Sequence, residues 1–230
     1  MPPIPGRSHV PPSPQAIHCA VERHGCQKLG WSAAVKPHSR AAVRDWEAKL
    51  TPALGENLRR RRKGKVGRSW YVDETYIRVR GGWRYLYRAI DRAGALVDVM
   101  LSEHRDLAAA KAFFRSAKAV TGVTPDRVTT DGHDAYPRAI RTELGRHVRH
   151  RTSRYLNNRL EQDHRGIKGR CRPMLGLKST GSAGRYCRGH DELRNFPRCR
   201  SRMRQHVPAA TRRWQHMRRA AIALGILETA

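Results

Sequence analysis

Three runs of β-forming residues follow one another between Ser69 and Leu101, separated only by short turns. Ser69–Val79 carries Trp70, Tyr71, Val72, Thr75, Tyr76, Ile77 and Val79. Trp83–Ile90 puts Trp83, Tyr85 and Tyr87 on one face, and Ala95–Leu101 reads ALVDVML. Aromatic and β-branched side chains suit a pleated, half-buried surface. Gly81-Gly82 and Asp91-Arg92-Ala93-Gly94 supply the turns. The chain is therefore expected to build its core around an antiparallel meander.

The pattern then alternates. Asp106–Val120 (DLAAAKAFFRSAKAV) predicts an amphipathic helix that stops before Gly122 and Pro125. Arg127–Thr130 predicts a short strand ending at Asp131, and a short helix follows over Ala135–Leu144. A brief strand is centred on Val148, a helix runs from Leu156 to Arg170, and 179–195 is a further helix. Three antiparallel strands followed by αβ units give an α/β fold whose mixed sheet carries helices on its faces. That order matches a ribonuclease-H-like, retroviral-integrase-type architecture.

The flanks differ from this core. Residues 1–41 hold Pro2, Pro3, Pro5, Pro11, Pro12, Pro14 and Pro37 without a helical or strand period, and are expected to be disordered. Residues 42–68 begin as a weak helix through Val43, Trp46 and Leu50, interrupted by Pro52, and end in a basic linker, RRRRKGKVGR. The catalytic domain is expected over 69–200. A basic helical tail is expected over 201–230, with an apolar stretch at Ala220–Leu227.

Lys and Arg number 47 against 19 Asp and Glu, a formal charge of +28. Such an excess repels itself unless it meets a polyanion, and Arg suits bidentate phosphate contact. Nucleic acid is the expected partner, with Arg61, Arg62 and Lys63 of the basic linker on phosphates. A solvated linker is the bland alternative. No run of about 18 apolar residues predicts a membrane span. The start lacks the apolar stretch of a signal peptide. Cys19, Cys26, Cys171, Cys187 and Cys199 are scattered, without C-x-x-C, and read as reduced thiols in the cytoplasm. No phosphate-binding G-x-x-x-x-G-K-[ST] occurs.

Acids are scarce, so their placement is informative. Asp73 interrupts a strand of β-formers, and a local rule broken in this way often marks function. Asp131 sits where the fourth strand ends, the edge at which α/β sheets collect ligands. Glu161 follows the capping residues Asn157 and Asn158. It lies about 100° to 140° round its helix from Leu156, Leu160 and Ile167, with Arg165 and Lys168 on its own face. An ordinary Glu161–Arg165 pair on a wet helix remains open. Three carboxylates from separate elements can hold two Mg²⁺ ions, which activate the attacking oxygen and stabilise the leaving one in phosphodiester chemistry. His147, His150 and His164 lack the tight spacing of a zinc site.

Longer blocks carry a family resemblance. Val72-Asp73-Glu74-Thr75-Tyr76-Ile77 with Trp83–Asp91, then Thr130-Asp131-Gly132-His133-Asp134-Ala135-Tyr136, then Tyr155–Lys168 with Leu175-Gly176-Leu177-Lys178-Ser179, resemble bacterial insertion-sequence transposases of the IS-six family. The match runs from about Leu58 to Arg200. The resemblance implies a DDE transposase with Asp73, Asp131 and Glu161 as catalytic metal ligands for Mg²⁺, Mn²⁺ being a possible substitute. It implies Lys168 on phosphate, with Arg165 beside it. Glu74, Asp134 and Asp163 stay outside the triad. The implied partners are element ends and target DNA, engaged by a homodimer in the bacterial cytoplasm at the nucleoid. An inactive remnant that binds DNA non-specifically is the alternative, and a stand-alone ribonuclease-H-type nuclease is a third. The family normally opens with a helix-turn-helix reader, and residues 1–40 show nothing like one, so poor discrimination of element ends is expected.

Overall fold

The structure, a computed structural model, describes residues 40–153, 158–172, 177–199 and 206–228. Expectations about residues 1–39, and about Asn157 as a cap, lie outside the described residues. In chain order the elements are α1 (Arg40–Arg60), β1 (Ser69–Val79), β2 (Gly82–Asp91), β3 (Leu96–Ser102), α2 (Leu107–Thr121) and β4 (Arg127–Thr130). They continue with α3 (Ala135–Glu143), β5 (Arg149–Thr152), α4 (Asn158–Cys171), α5 (Thr180–Asn195) and α6 (Ala209–Glu228).

The strands form one sheet in the order β3-β2-β1-β4-β5. β1, β2 and β3 pair antiparallel, whereas β4 runs parallel to β1 and β5 parallel to β4. This mixed sheet, a meander extended by αβ units, is the ribonuclease-H-like arrangement. Both faces are covered, which is why β1 and β2 read as nearly continuous apolar runs. On one face Trp70, Val72, Tyr87 and Ala89 pack against Phe113 and Phe114 of α2 and Tyr136 and Ile140 of α3. On the other, Ile77, Val79, Leu86 and Val99 meet Ile167 of α4 and Ala183 and Cys187 of α5.

Local chemistry sets the boundaries. Asp106 caps α2 by accepting from the Ala109 amide, and Gly122 ends the helix in the left-handed region at φ 64°. The Asp91 carboxylate accepts amide hydrogens from Gly67, Ala93 and Ala95 and so shapes the β2–β3 turn. The first hairpin turns on Arg80-Gly81 rather than Gly81-Gly82, because Val79 pairs with Gly82. Arg80 and Gly81 have φ of 49° and 79°, the two positive angles of a type I′ turn, whose twist matches the flanking strands.

Two local expectations change. The fifth strand starts at Arg149, one residue after Val148. The helix before β1 is not interrupted at Pro52, since α1 runs unbroken over 21 residues. Its Leu54 and Leu58 pack with Phe196 and Ala223, so tertiary contact offsets the lost proline donor. Where α1 meets α5, a Cβ on Gly189 would collide with the Thr51 side chain; only glycine allows this approach. The basic run 59–68 is consequently no free linker. Arg59 and Arg60 close α1, and the segment after it turns back onto the sheet.

Among the described residues no helix is long and apolar enough to cross a membrane. Cys171, Cys187 and Cys199 are free thiols.

Candidate active site

The site forms because β1 outruns its parallel neighbour. β4 pairs only with Ser69–Tyr71 and ends at Thr130. Asp131 therefore leaves the sheet just where Asp73 continues along β1, and α4 crosses the same end of the sheet. Asp73 is buried at 7% exposure. Its carboxylate belongs to two clusters, each with ligand atoms lying within 4.8 Å of one another: Asp73, Glu74 and Asp131, and Asp73, Glu161 and His164. Asp73 thus joins Asp131 on one side to Glu161 on the other.

This crowding shows in the acid–base chemistry. Burial first, then the neighbouring Glu74, Asp131 and Glu161, push the Asp73 carboxyl up to about 7. Such a set of oxygens has little to hold it together except a cation, and carboxylate oxygens are the donors that divalent Mg²⁺ or Mn²⁺ takes. The donor set therefore fits a divalent metal. Within the chain, the guanidinium of Arg105 supplies positive charge here. It pairs with Glu74 and lies 3.4 Å from Asp131.

Two members of these clusters, Glu74 and His164, were set aside in the sequence reading. Glu74 alternates to the opposite sheet face from Asp73 and hydrogen-bonds there with Arg105 and the Tyr136 hydroxyl. Even so, its carboxylate comes within reach of Asp73 and Asp131, as both faces converge at the end of a sheet. His164 is buried, and its Nε2 has no hydrogen-bond partner among the described residues. Desolvation, followed by Arg88 and Lys168, lowers its pKa to about 3, which keeps the ring neutral. The available signal was its position three residues after Glu161, one turn along the same helix face.

The remaining candidates divide. Lys168 is exposed, with its Nζ 4.7 Å from the centroid of the Tyr76 ring. Arg165, Arg61 and Lys63 are exposed. Arg62 is a correction: it is buried, pairs with Glu192 and donates to the Leu96 carbonyl, so it holds α5 to the sheet and does not face phosphate. Asp163 is buried against Arg194 and Arg198, and Asp134 is exposed at the start of α3.

Fold and site together define a ribonuclease-H-like domain with an acid cluster at the β1–β4 junction. The model of the DDE domain family of IS240 type matches residues 67–199. The chain belongs to that DDE domain family. It is 38% identical over 134 residues to the transposase for insertion sequence-like element IS431mec and to that for insertion sequence element IS257 in transposon Tn4003, both from Staphylococcus aureus. Each alignment covers 56% of this chain and 59% of the relative. The chain thus spans under two thirds of those transposases' length. Among solved structures, the HTLV-2 integrase catalytic core domain in complex with magnesium aligns with a TM-score of 0.44 at 17% identity, covering 67% of this chain and 99% of that one.

Proposed function

We propose that this protein is a DNA transposase whose catalytic unit spans 69–200 and exchanges phosphodiester bonds in two steps. Water first attacks a phosphate at the element end and releases a 3′-hydroxyl. That hydroxyl then attacks a target phosphate and displaces the target's own 3′-oxygen. The observation that carries this reading is the Asp73-centred cluster, assembled from β1, the end of β4 and α4. Membership of the DDE domain family supports it.

Asp73, Asp131 and Glu161 would hold two divalent cations, Mg²⁺ or Mn²⁺ in its place. Bound there, the ions supply activation of the attacking oxygen and charge stabilisation of the leaving one. A nitrogen donor such as His164 beside Asp73 and Glu161 favours Mn²⁺ over Mg²⁺ at that position. Lys168 and Arg165, on the Glu161 helix, would position DNA phosphate, joined by Arg61 and Lys63. The protein would work at the nucleoid as a homodimer on DNA.

Strand transfer with labelled element-end DNA and a plasmid target tests this. Asp73→Asn, Asp131→Asn and Glu161→Gln should each abolish joining while duplex affinity stays similar, whereas Asp134→Asn should be mild. Full activity in Glu161→Gln would remove Glu161 from the site.

A further inference from the structure

Beyond the carboxylates, the far end of β1 borders a cleft of about 770 Å³. Its walls carry Tyr76 and Trp83, together with Arg78, Arg80, Lys168 and Arg172, and no carboxylate lines it among the described residues. Both aromatic residues are 55% exposed, in a protein whose other strand aromatics are largely covered. They lie diagonally across the β1–β2 hairpin, since Arg78 is the residue opposite Trp83 and Tyr85 the one opposite Tyr76. Their ring centroids are 5.2 Å apart and the planes meet at 85°. The rings therefore form two walls of a corner. A cation stands over each, Lys168 at 4.7 Å from Tyr76 and Arg78 at 5.8 Å from Trp83.

We infer that this corner binds one unpaired base of the DNA strand being processed, stacked on Trp83 or Tyr76 with its phosphates on the surrounding cations. The inference rests on the function proposed above and adds a subsite to it. Three features select this occupant. Exposed aromatic rings interleaved with cations are the combination that binds single-stranded nucleic acid: the cations track the backbone, and any base offers a π-face. Within a duplex both faces of a base are covered by its neighbours, so the ligand must be frayed or flipped. The cleft also shares two elements with the acid cluster. Tyr76 is three residues beyond Asp73 on β1, about 10 Å at the rise of a strand, and Lys168 shares α4 with Glu161.

An ornamental role, in which Trp83 only steadies the hairpin through Tyr76 and Arg78, makes a different prediction. Binding is measured by fluorescence anisotropy on the full chain in EDTA at near-physiological salt. The probes are a blunt duplex, the same duplex with a three-nucleotide unpaired 3′ end, and that end made abasic. The unpaired end should bind roughly tenfold more tightly than the blunt duplex, within the range for one base–aromatic stack. The abasic end should fall back to the blunt value. Trp83→Leu should abolish the preference and Trp83→Phe, which keeps a flat ring, should retain most of it. Equal affinity for the three probes, or a preference that survives Trp83→Leu together with Tyr76→Leu, overturns the subsite and leaves the proposed function standing. Failure to bind even the blunt duplex overturns both.

Discussion

Asp73 is buried, yet it has three other acids close by and no paired cation among the described residues. With its carboxyl pushed up to about 7 from 3.8, the folded metal-free protein keeps a proton that the unfolded chain sheds. The contribution of Asp73 to folding stability should therefore fall as pH rises from about 4 to about 7, by on the order of a few kcal/mol, against the opposite contribution of the neutral His164. Thermal melts in EDTA at pH 5 and pH 8 measure this. Asp73→Asn should gain stability at pH 8 relative to pH 5 when compared with the unsubstituted protein, and Mn²⁺ added at pH 8 should stabilise the latter by binding the folded state. Arg62 offers the opposite case, a buried cation spent on structure. Removing it in Arg62→Ala strands Glu192, which burial already pushes up to about 7. A loss of about 3–5 kcal/mol is expected in urea titrations, against almost nothing for the exposed Lys63→Ala.

Within the elements, the β1–β2 hairpin carries a residue that a hairpin would not choose for stability. Arg80 occupies the left-handed region, where Asn or Gly is preferred, yet it lines the cationic cleft. Arg80→Asn should raise stability by roughly 0.5–1 kcal/mol while weakening DNA binding, a trade of the kind expected where strain sits at a functional site. Denaturant midpoints and DNA titrations of the same variant check both halves. Helix α2 shows the ordinary case. Asp106 caps it, so Asp106→Ala should cost about 1 kcal/mol without altering DNA affinity.

Across the folded chain, the charge of +28 is not one uniform field. Some cations are internal partners, as Arg62 is to Glu192 and Arg88 to Asp191. Others, among them Lys168 and Arg165, are exposed beside the acid cluster. Counterion release distinguishes the two kinds. Plotting the logarithm of duplex affinity against that of salt concentration, Lys168→Ala should reduce the slope by about 0.9. Arg62→Met, which keeps most of the buried bulk without a charge, should leave the slope unchanged.

Most of the sheet could be read from local chemistry, because a meander needs only alternating β-formers and turn residues, all close in sequence. The four residues of β4 and the stop at Gly122 followed from rules that act within a few positions. Asp73 stood out for a similar reason, as an acid that its own strand disfavours. Contacts between distant segments left no such mark. Pro52 suggested a break in α1, but packing of Leu54 and Leu58 on Phe196 keeps the helix whole. Arg62 looked like one more cation in a basic run until Glu192, 130 residues away, claimed it. Glu74 was assigned to the far face by strand alternation, and the alternation holds. Yet a sheet face confines a side chain only while the sheet continues, and at the end of β4 both faces open onto the same point. The partners of Asp73 were thus set by where β4 stops and how α4 crosses the sheet, two facts of packing with no local signature.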